Sequence, residues 1–244
     1  MKKLVIMVCM IGIALMLLSA CGLVNPVNAI MGNTVNKEIV VEKDAAESLD
    51  INIDLGVGNL EITGGAEEWV TGEMEYTRSK LKSQLSYNLK HGVGEVSIEQ
   101  KRSGNFFNSF GKQKTNWDIQ LSNDIPMDLH INAGVSDTTL DLRGVQITNL
   151  TVDAGVGDIK VDLSGDWTNS FNTTIHTGVG DTKVVLPKHV GVKVVSKKGL
   201  GSANFPGFKS LGNNEYVNDA YESAEVVITL NVETGVGDSS FQLQ

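Results

Sequence analysis

Residues 149–163 read NLTVDAGVGDIKVDL, and this stretch decides the fold. Before Gly155-Val156-Gly157-Asp158, Leu150, Val152 and Ala154 alternate with Thr151 and Asp153; after it, Ile159, Val161 and Leu163 alternate with Lys160 and Asp162. A period of two on each side predicts two strands, each with one buried face. Counted from Gly155, the positions read as inward are -5, -3, -1 and +1, then +4, +6 and +8, so the parity slips by one inside the word. Such a slip is a corner. Glycine permits the positive φ or close backbone approach that a corner needs, and the central Val is read as pointing into the core.

The word recurs. It stands at Gly56-Val57-Gly58-Asn59, Gly92-Val93-Gly94-Glu95, Gly134-Val135-Ser136-Asp137, Gly155-Val156-Gly157-Asp158, Gly178-Val179-Gly180-Asp181, Gly199-Leu200-Gly201-Ser202 and Gly235-Val236-Gly237-Asp238. The first glycines are 36, 42, 21, 23, 21 and 36 residues apart, giving a basic period near 21 to 23 with longer steps that carry insertions or doubled rungs. One rung cannot bury its apolar face alone. Stacked rungs can, which predicts an all-β body of parallel ladders about 4.8 Å apart, with an interior Val column and acidic residues along one edge.

Outside the repeats the chain divides further. Lys2 and Lys3 precede an apolar run from Leu4 to Leu18, the pattern of a secretory signal over residues 1–20. Leu18-Ser19-Ala20-Cys21 resembles the lipobox of bacterial lipoproteins, which implies cleavage before Cys21 and acylation of its thiol and new amine. The mature chain then keeps no cysteine, because Cys9 leaves with the signal, and thiolate redox or zinc chemistry is excluded. Residues 21–46 are expected to be the lipidated Cys and a tether, and 47–244 one folded domain with irregular insertions near 66–90 and 101–115. In the first insertion, the segments around Glu73–Tyr76 and Gln84–Leu89 predict an antiparallel excursion, with Trp69 and Tyr76 as core or rim packing. The second, with Lys101, Arg102, Phe106, Phe107 and Phe110, is either a partner loop or a flap covering an open sheet end.

Charge and motif exclude most chemistry. The chain of 244 residues carries 20 Lys and Arg against 29 Asp and Glu, a net charge of -9, which argues against a nucleic-acid partner. No amphipathic helix follows any glycine word, as a dinucleotide fingerprint requires, and Gly111-Lys112-Gln113 lacks the P-loop pattern. The acidic corner residues Asp137, Asp158 and Asp181 invite a calcium reading, against which stands their ordinary use as turn acceptors of backbone hydrogen bonds. His91, His130, His176 and His189 accompany no hydrolase motif, so no catalytic residue and no cofactor are assigned.

The repeated GVGD words, the Trp117-Asp118-Ile119 strand and the lipobox together resemble the bacterial toast-rack family, which includes LiaF-like envelope stress proteins and adhesin-like proteins. The resemblance spans about residues 47–244 and implies an all-β, single-stranded parallel β-solenoid-like domain with an elaborated, partly antiparallel N-terminal portion. It implies no active-site motif. Ser136 and Ser202 depart from the usual corner word, and the 101–115 segment is idiosyncratic. The expected role is noncatalytic: an extracytoplasmic lipoprotein held to the membrane through Cys21, binding an envelope protein or polymer in stress sensing or adhesion. The alternatives are a polysaccharide-active β-helical enzyme and a purely structural surface protein.

Overall fold

V-shaped turns bent at glycine bury their inner faces by stacking, and the computed structural model, which describes residues 35–76, 81–102 and 115–244, is built in that way. Its first strands are β1 (Val35–Val41), β2 (Ser48–Gly64), β3 (Val70–Tyr76), β4 (Leu81–Lys90), β5 (Val93–Arg102) and β6 (Thr115–Leu121). The middle is β7 (Met127–Asp141), β8 (Ile147–Val156), β9 (Ile159–Asp162), β10 (Phe171–Val179) and β11 (Thr182–Leu186). The end is β12 (Gly191–Leu200), β13 (Ala203–Asn204), β14 (Lys209–Gly212), β15 (Glu215–Val217), β16 (Val227–Val236) and β17 (Ser239–Leu243). The described residues contain no helix.

Each rung has two legs that meet at a glycine word. Long β2 and β7 run through their corners unbroken, whereas β8/β9, β10/β11, β16/β17 and β12/β13 are each split there. The inner face holds one continuous core. Ile53, Ile62, Leu129, Leu150, Ile175 and Leu230 have no exposed surface, and each such side chain contributes about 1.5–3 kcal/mol by leaving water.

The stacking order is not the chain order. Parallel ladders join β5 and β6 to the two halves of β2, β2 to β7, β7 to β8 and β9, and these to β10 and β11. Then β16/β17 enter next to β10/β11, and β12/β13 lie beyond them. The 21-residue step from Gly178 to Gly199, which looks like one period, therefore joins rungs that are not neighbours. The inner positions give the physical reason: β16/β17 bring Ile228, Leu230, Val232, Thr234 and Phe241, all buried, while at the places matching Val232 and Thr234 β12 has Ser196 and exposed Lys198. The more apolar rung takes the interior place.

Both ends of the stack turn antiparallel. At one end β4 pairs with β5, and β3 pairs with β6 on one side and β1 on the other. At the other, β15 runs antiparallel to β12 and to β14. There Phe205 stacks on Tyr216 and Phe241, with ring centroids 3.6 and 4.7 Å apart, and buried Asn218 accepts the Val192 amide at 2.9 Å and donates to the Val190 carbonyl at 2.7 Å. Such caps close the open edges of a repeat stack.

Two expectations about the N-terminal portion change. Residues 35–41, expected within the tether, form β1 and belong to the sheet. The excursion across 66–90 is antiparallel as expected, but β3 and β4 pair with different legs of the terminal rung, not with each other. Trp69 is buried, and its indole donates to Asp44 Oδ1 at 3.1 Å, while the Tyr87 hydroxyl donates to Asp44 Oδ2 at 2.7 Å. These two donors hold the Asp44 carboxyl below its ordinary range; desolvation and that carboxylate push the Tyr87 phenol up to about 12.

Candidate functional site

Six of the seven glycine words stack into one straight corner. Their central residues are in register across five ladders in the order Val57, Val135, Val156, Val179, Val236, Leu200. The seventh word, Gly92-Val93-Gly94, is not a corner: His91 and Gly92 form the two-residue turn between β4 and β5, with φ of 51° and 83°.

Gly155 and Gly157 show what the corner demands. A Cβ on Gly155 would lie 2.5 Å from the Gly134 carbonyl oxygen of the adjacent rung, and one on Gly157 would lie 2.1 Å from that of Ser136. Gly157 also has φ +133°, a conformation that side chains rarely adopt. Close rung-to-rung backbone contact and backbone conformation thus both select glycine.

The central Val column points outward, which corrects the expected interior column. Val135, Val156, Val179 and Val236 are 45–51% exposed and Leu200 is 71% exposed. The residues flanking the word fill the apex of the core themselves: Thr177 and Thr182 share a hydrogen bond of 2.9 Å directly across it, as do Thr234 and Ser239 at 2.9 Å. Nothing larger fits between them, so the central side chain lies on the convex side of the bend.

Beside this column runs a ladder of carboxylates. The amide of Asp158 donates to Asp137 Oδ1 at 3.0 Å, that of Asp181 to Asp158 Oδ1 at 2.9 Å, and that of Asp238 to Asp181 Oδ1 at 2.8 Å. The Ser202 amide ends the run on Asp238 Oδ1 at 2.7 Å, joined by the Ser202 hydroxyl at 2.9 Å. Those Ser202 bonds, with Lys198 nearby, hold the Asp238 carboxyl below its ordinary range. Asp137, Asp158 and Asp181 are thus turn acceptors between rungs. Among the described residues no three His, Cys, Asp or Glu side chains converge as a metal site.

A feature that sequence reading missed lies on the outer face of the other leg. Ladder register aligns Glu38, Glu73, Asp118 and Glu61 side by side on four adjacent strands, followed by Thr139, Lys160 and Lys183. All four carboxylates are exposed, and none forms an ion pair among the described residues. Three of them, with Glu75, Asn116, Asn59 and Asp137, line an open hollow of about 700 Å³. Like charges directly opposite one another disfavour the sheet. Each of these residues was visible as an outward position of an alternating strand, but their alignment depends on which strands pair.

Two of the histidines sit beside single carboxylates. His176 Nδ1 lies 2.7 Å from Asp153 Oδ1, and His189 Nε2 lies 3.2 Å from Asp166 Oδ1, on exposed surface. Lys101 is exposed on β5. Cys21, the side chain of Arg102, and Phe106, Phe107 and Phe110 lie outside the described residues. From the terminal rung Gln100 reaches the adjacent corner, accepting the Val57 amide at 3.0 Å and donating to the Val57 carbonyl at 3.3 Å.

Two family models and one solved structure agree with this architecture. The family described as the N-terminal domain of toast_rack matches residues 30–185, and that described as cell wall-active antibiotics response LiaF, C-terminal, matches residues 145–240. A solved structure from Clostridium sporogenes, titled a "putative cell adhesion protein", is 33% identical, with 87% of this chain and 100% of that chain covered and a TM-score of 0.83. A "putative adhesin" from Bacteroides fragilis is 14% identical over 86% of this chain and 97% of its own, with a TM-score of 0.30. No curated protein matches the chain.

Proposed function

The chain belongs to the toast-rack family, and from that premise we propose that it is a noncatalytic binding module of the cell envelope, in stress sensing or adhesion. The observation that carries this reading is the exposed apolar column at the corner. An unbroken line of five half-exposed to exposed aliphatic side chains beyond Val57 is the kind of surface that marks interaction sites. It sits on a hydrogen-bonded stack whose every rung fixes its neighbour, so the groups are held in place before a partner arrives, which lowers the ordering cost of binding. Family membership supports an extracytoplasmic position, and the Cys21 lipobox supports attachment through lipid, with two or more acyl chains for stable anchoring.

Affinity capture from the native envelope tests the reading. Three forms are compared: the full-length chain, a variant lacking residues 104–111, and one carrying Val156→Lys with Val179→Lys. Loss of one reproducible partner in either variant supports a binding module and says which surface holds it. Capture that is empty, or identical in all three, removes both placements.

The acidic hollow is the observation that favours the second reading, a polysaccharide-active enzyme, since glycosidases work with carboxylates roughly 5–9 Å apart. Glu61, Glu73 and Asp118 are nevertheless all exposed, whereas the proton-donating acid of such enzymes is kept in an apolar setting. Release of reducing ends from envelope polysaccharide, lost in Glu73→Gln or Asp118→Asn, would establish that reading.

A further inference from the structure

We propose that the column from Val57 to Leu200, half-buried at Val57 and exposed from Val135 onward, is the docking line for a basic amphipathic helix of a partner protein. The inference rests on the binding-module reading and names the chemistry of its partner. Its first support is shape. The column projects from a corner whose flanking positions are glycine or Ser136, so a strip of bare backbone lies on each side of the aliphatic side chains. A row of knobs between two shallow troughs accepts the seam of a helix, whose own apolar residues straddle the row.

Length and spacing agree. Six rungs make five steps of about 4.8 Å, or roughly 24 Å, which matches about 16 residues of helix at 1.5 Å each. The seam of an amphipathic helix advances about 5.2 Å per apolar residue, so the two rows drift apart by only about 2 Å over the whole column.

Charge selects the kind of helix. On one side the column is bordered by Asp137, Asp158, Asp181 and Asp238, all exposed, whose interrung hydrogen bonds use Oδ1. On the other side Asp54, Asp153 and Glu233 stand two residues before the word, interspersed with Asn132 and His176. Lys and Arg on both shoulders of an apolar seam complement these borders. The sign reverses only at the outermost rung, where Lys197 and Lys198 precede Leu200, and that reversal gives the docked helix a direction. The same borders disfavour other occupants. Two copies placed column to column bring their carboxylate ladders together, and an anionic lipid surface is repelled.

The test uses the full-length chain and three synthetic 18-residue peptides. One has a Leu seam flanked by Lys, the second has Glu in place of every Lys, and the third is the first with its sequence scrambled. Binding is read by fluorescence anisotropy and by the gain of peptide helicity. The expected result is binding of the Lys peptide alone, weakened at least about tenfold by Val156→Lys with Val179→Lys. Asp158→Asn with Asp181→Asn, which keeps the acceptor oxygens, weakens it several-fold and flattens its salt dependence. Asn149→Lys with Asn172→Lys adds the same charge to the same strands about 20 Å away and leaves binding intact. Should the Val pair prevent folding, Asp158→Asn with Asp181→Asn and the salt titration decide alone.

Failure of the Lys peptide to bind, equal binding of the Glu or scrambled peptide, or indifference to the column substitutions overturns the proposal. So does a dimer, or adsorption to phosphatidylglycerol vesicles, that the Val pair abolishes, since the column then has another occupant. Envelope capture that persists while the peptides fail discards this inference and leaves the binding-module reading standing.

Discussion

The same three residues make a stacking corner at Gly155-Val156-Gly157 and, at Gly92-Val93-Gly94, complete a hairpin turn and start its second strand. At the corner, both flanks carry inward apolar residues, and backbone from the adjacent rung crowds the glycines at 2.1 and 2.5 Å from their absent Cβ atoms. At the hairpin, the preceding strand ends in exposed Leu89 and Lys90, Lys90 pairs with Glu95 at 2.6 Å, and a Cβ on Gly92 would meet only the Glu47 side chain at 3.4 Å. Glycine permits both outcomes. The burial demanded by the flanks selects between them. At Gly157 the conformational demand and a collision with backbone fall on one residue, whereas in the hairpin word Gly92 carries the conformational demand and Gly94 is crowded only by the side chains of Leu49 and Tyr87, at 2.8 and 2.9 Å.

Substitution should separate the two places. Gly157→Ala combines a positive φ with a backbone collision, so denaturant unfolding is expected to show a loss of about 4 kcal/mol or a chain that does not fold. Gly92→Ala meets the conformational cost alone, about 1–2 kcal/mol in the same measurement. Equal losses would mean that rung-to-rung contact does not distinguish the sites. Asp158→Ala removes the acceptor of the Asp181 amide and should cost about 1 kcal/mol, while Asp158→Asn, which retains an acceptor, should cost much less.

The corner also predicts a pH effect that the hairpin does not. The Asp238 carboxyl is held below its ordinary value of 3.8, so its contribution to stability is complete above that value and is lost as pH falls through the lower folded-state pKa. Asp238→Asn should therefore leave a thermal midpoint that declines less between pH 4 and more acidic solution. The smallest effect tests the outward column: Val156→Thr should change stability by no more than about 0.5 kcal/mol. A loss above about 2 kcal/mol would return that side chain to the core.

Much of the fold was legible because its determinants are local. The inward set around Gly155 was read correctly at Leu150, Val152, Ala154, Ile159, Val161 and Leu163, all buried. The exception, Val156, follows from simple continuation of parity across the word. What parity cannot register is that the side chains at -1 and +4, such as Thr177 and Thr182, meet across the apex and leave no inner space. The candidate surfaces were less legible. The aspartate ladder was readable as turn acceptors, but the apolar column was assigned to the wrong side, and the row from Glu38 to Glu61 joins residues of four separate strands that alternation alone never brings together.

The sequence by itself determined the strands, their buried faces, the positions of the bends and the aspartates beside them, because periodicity, glycine conformation and short-range turn acceptors act within about a dozen residues. Tertiary structure decided which rung lies next to which, where β16/β17 enter, which way the central Val points and how the outer charges line up. The physical reason is that backbone ladder bonds are nearly indifferent to side-chain identity. A parallel rung can pair with any other, and only the packing of the whole stack, with its most apolar rungs inside and its charged ones at the ends, selects one order.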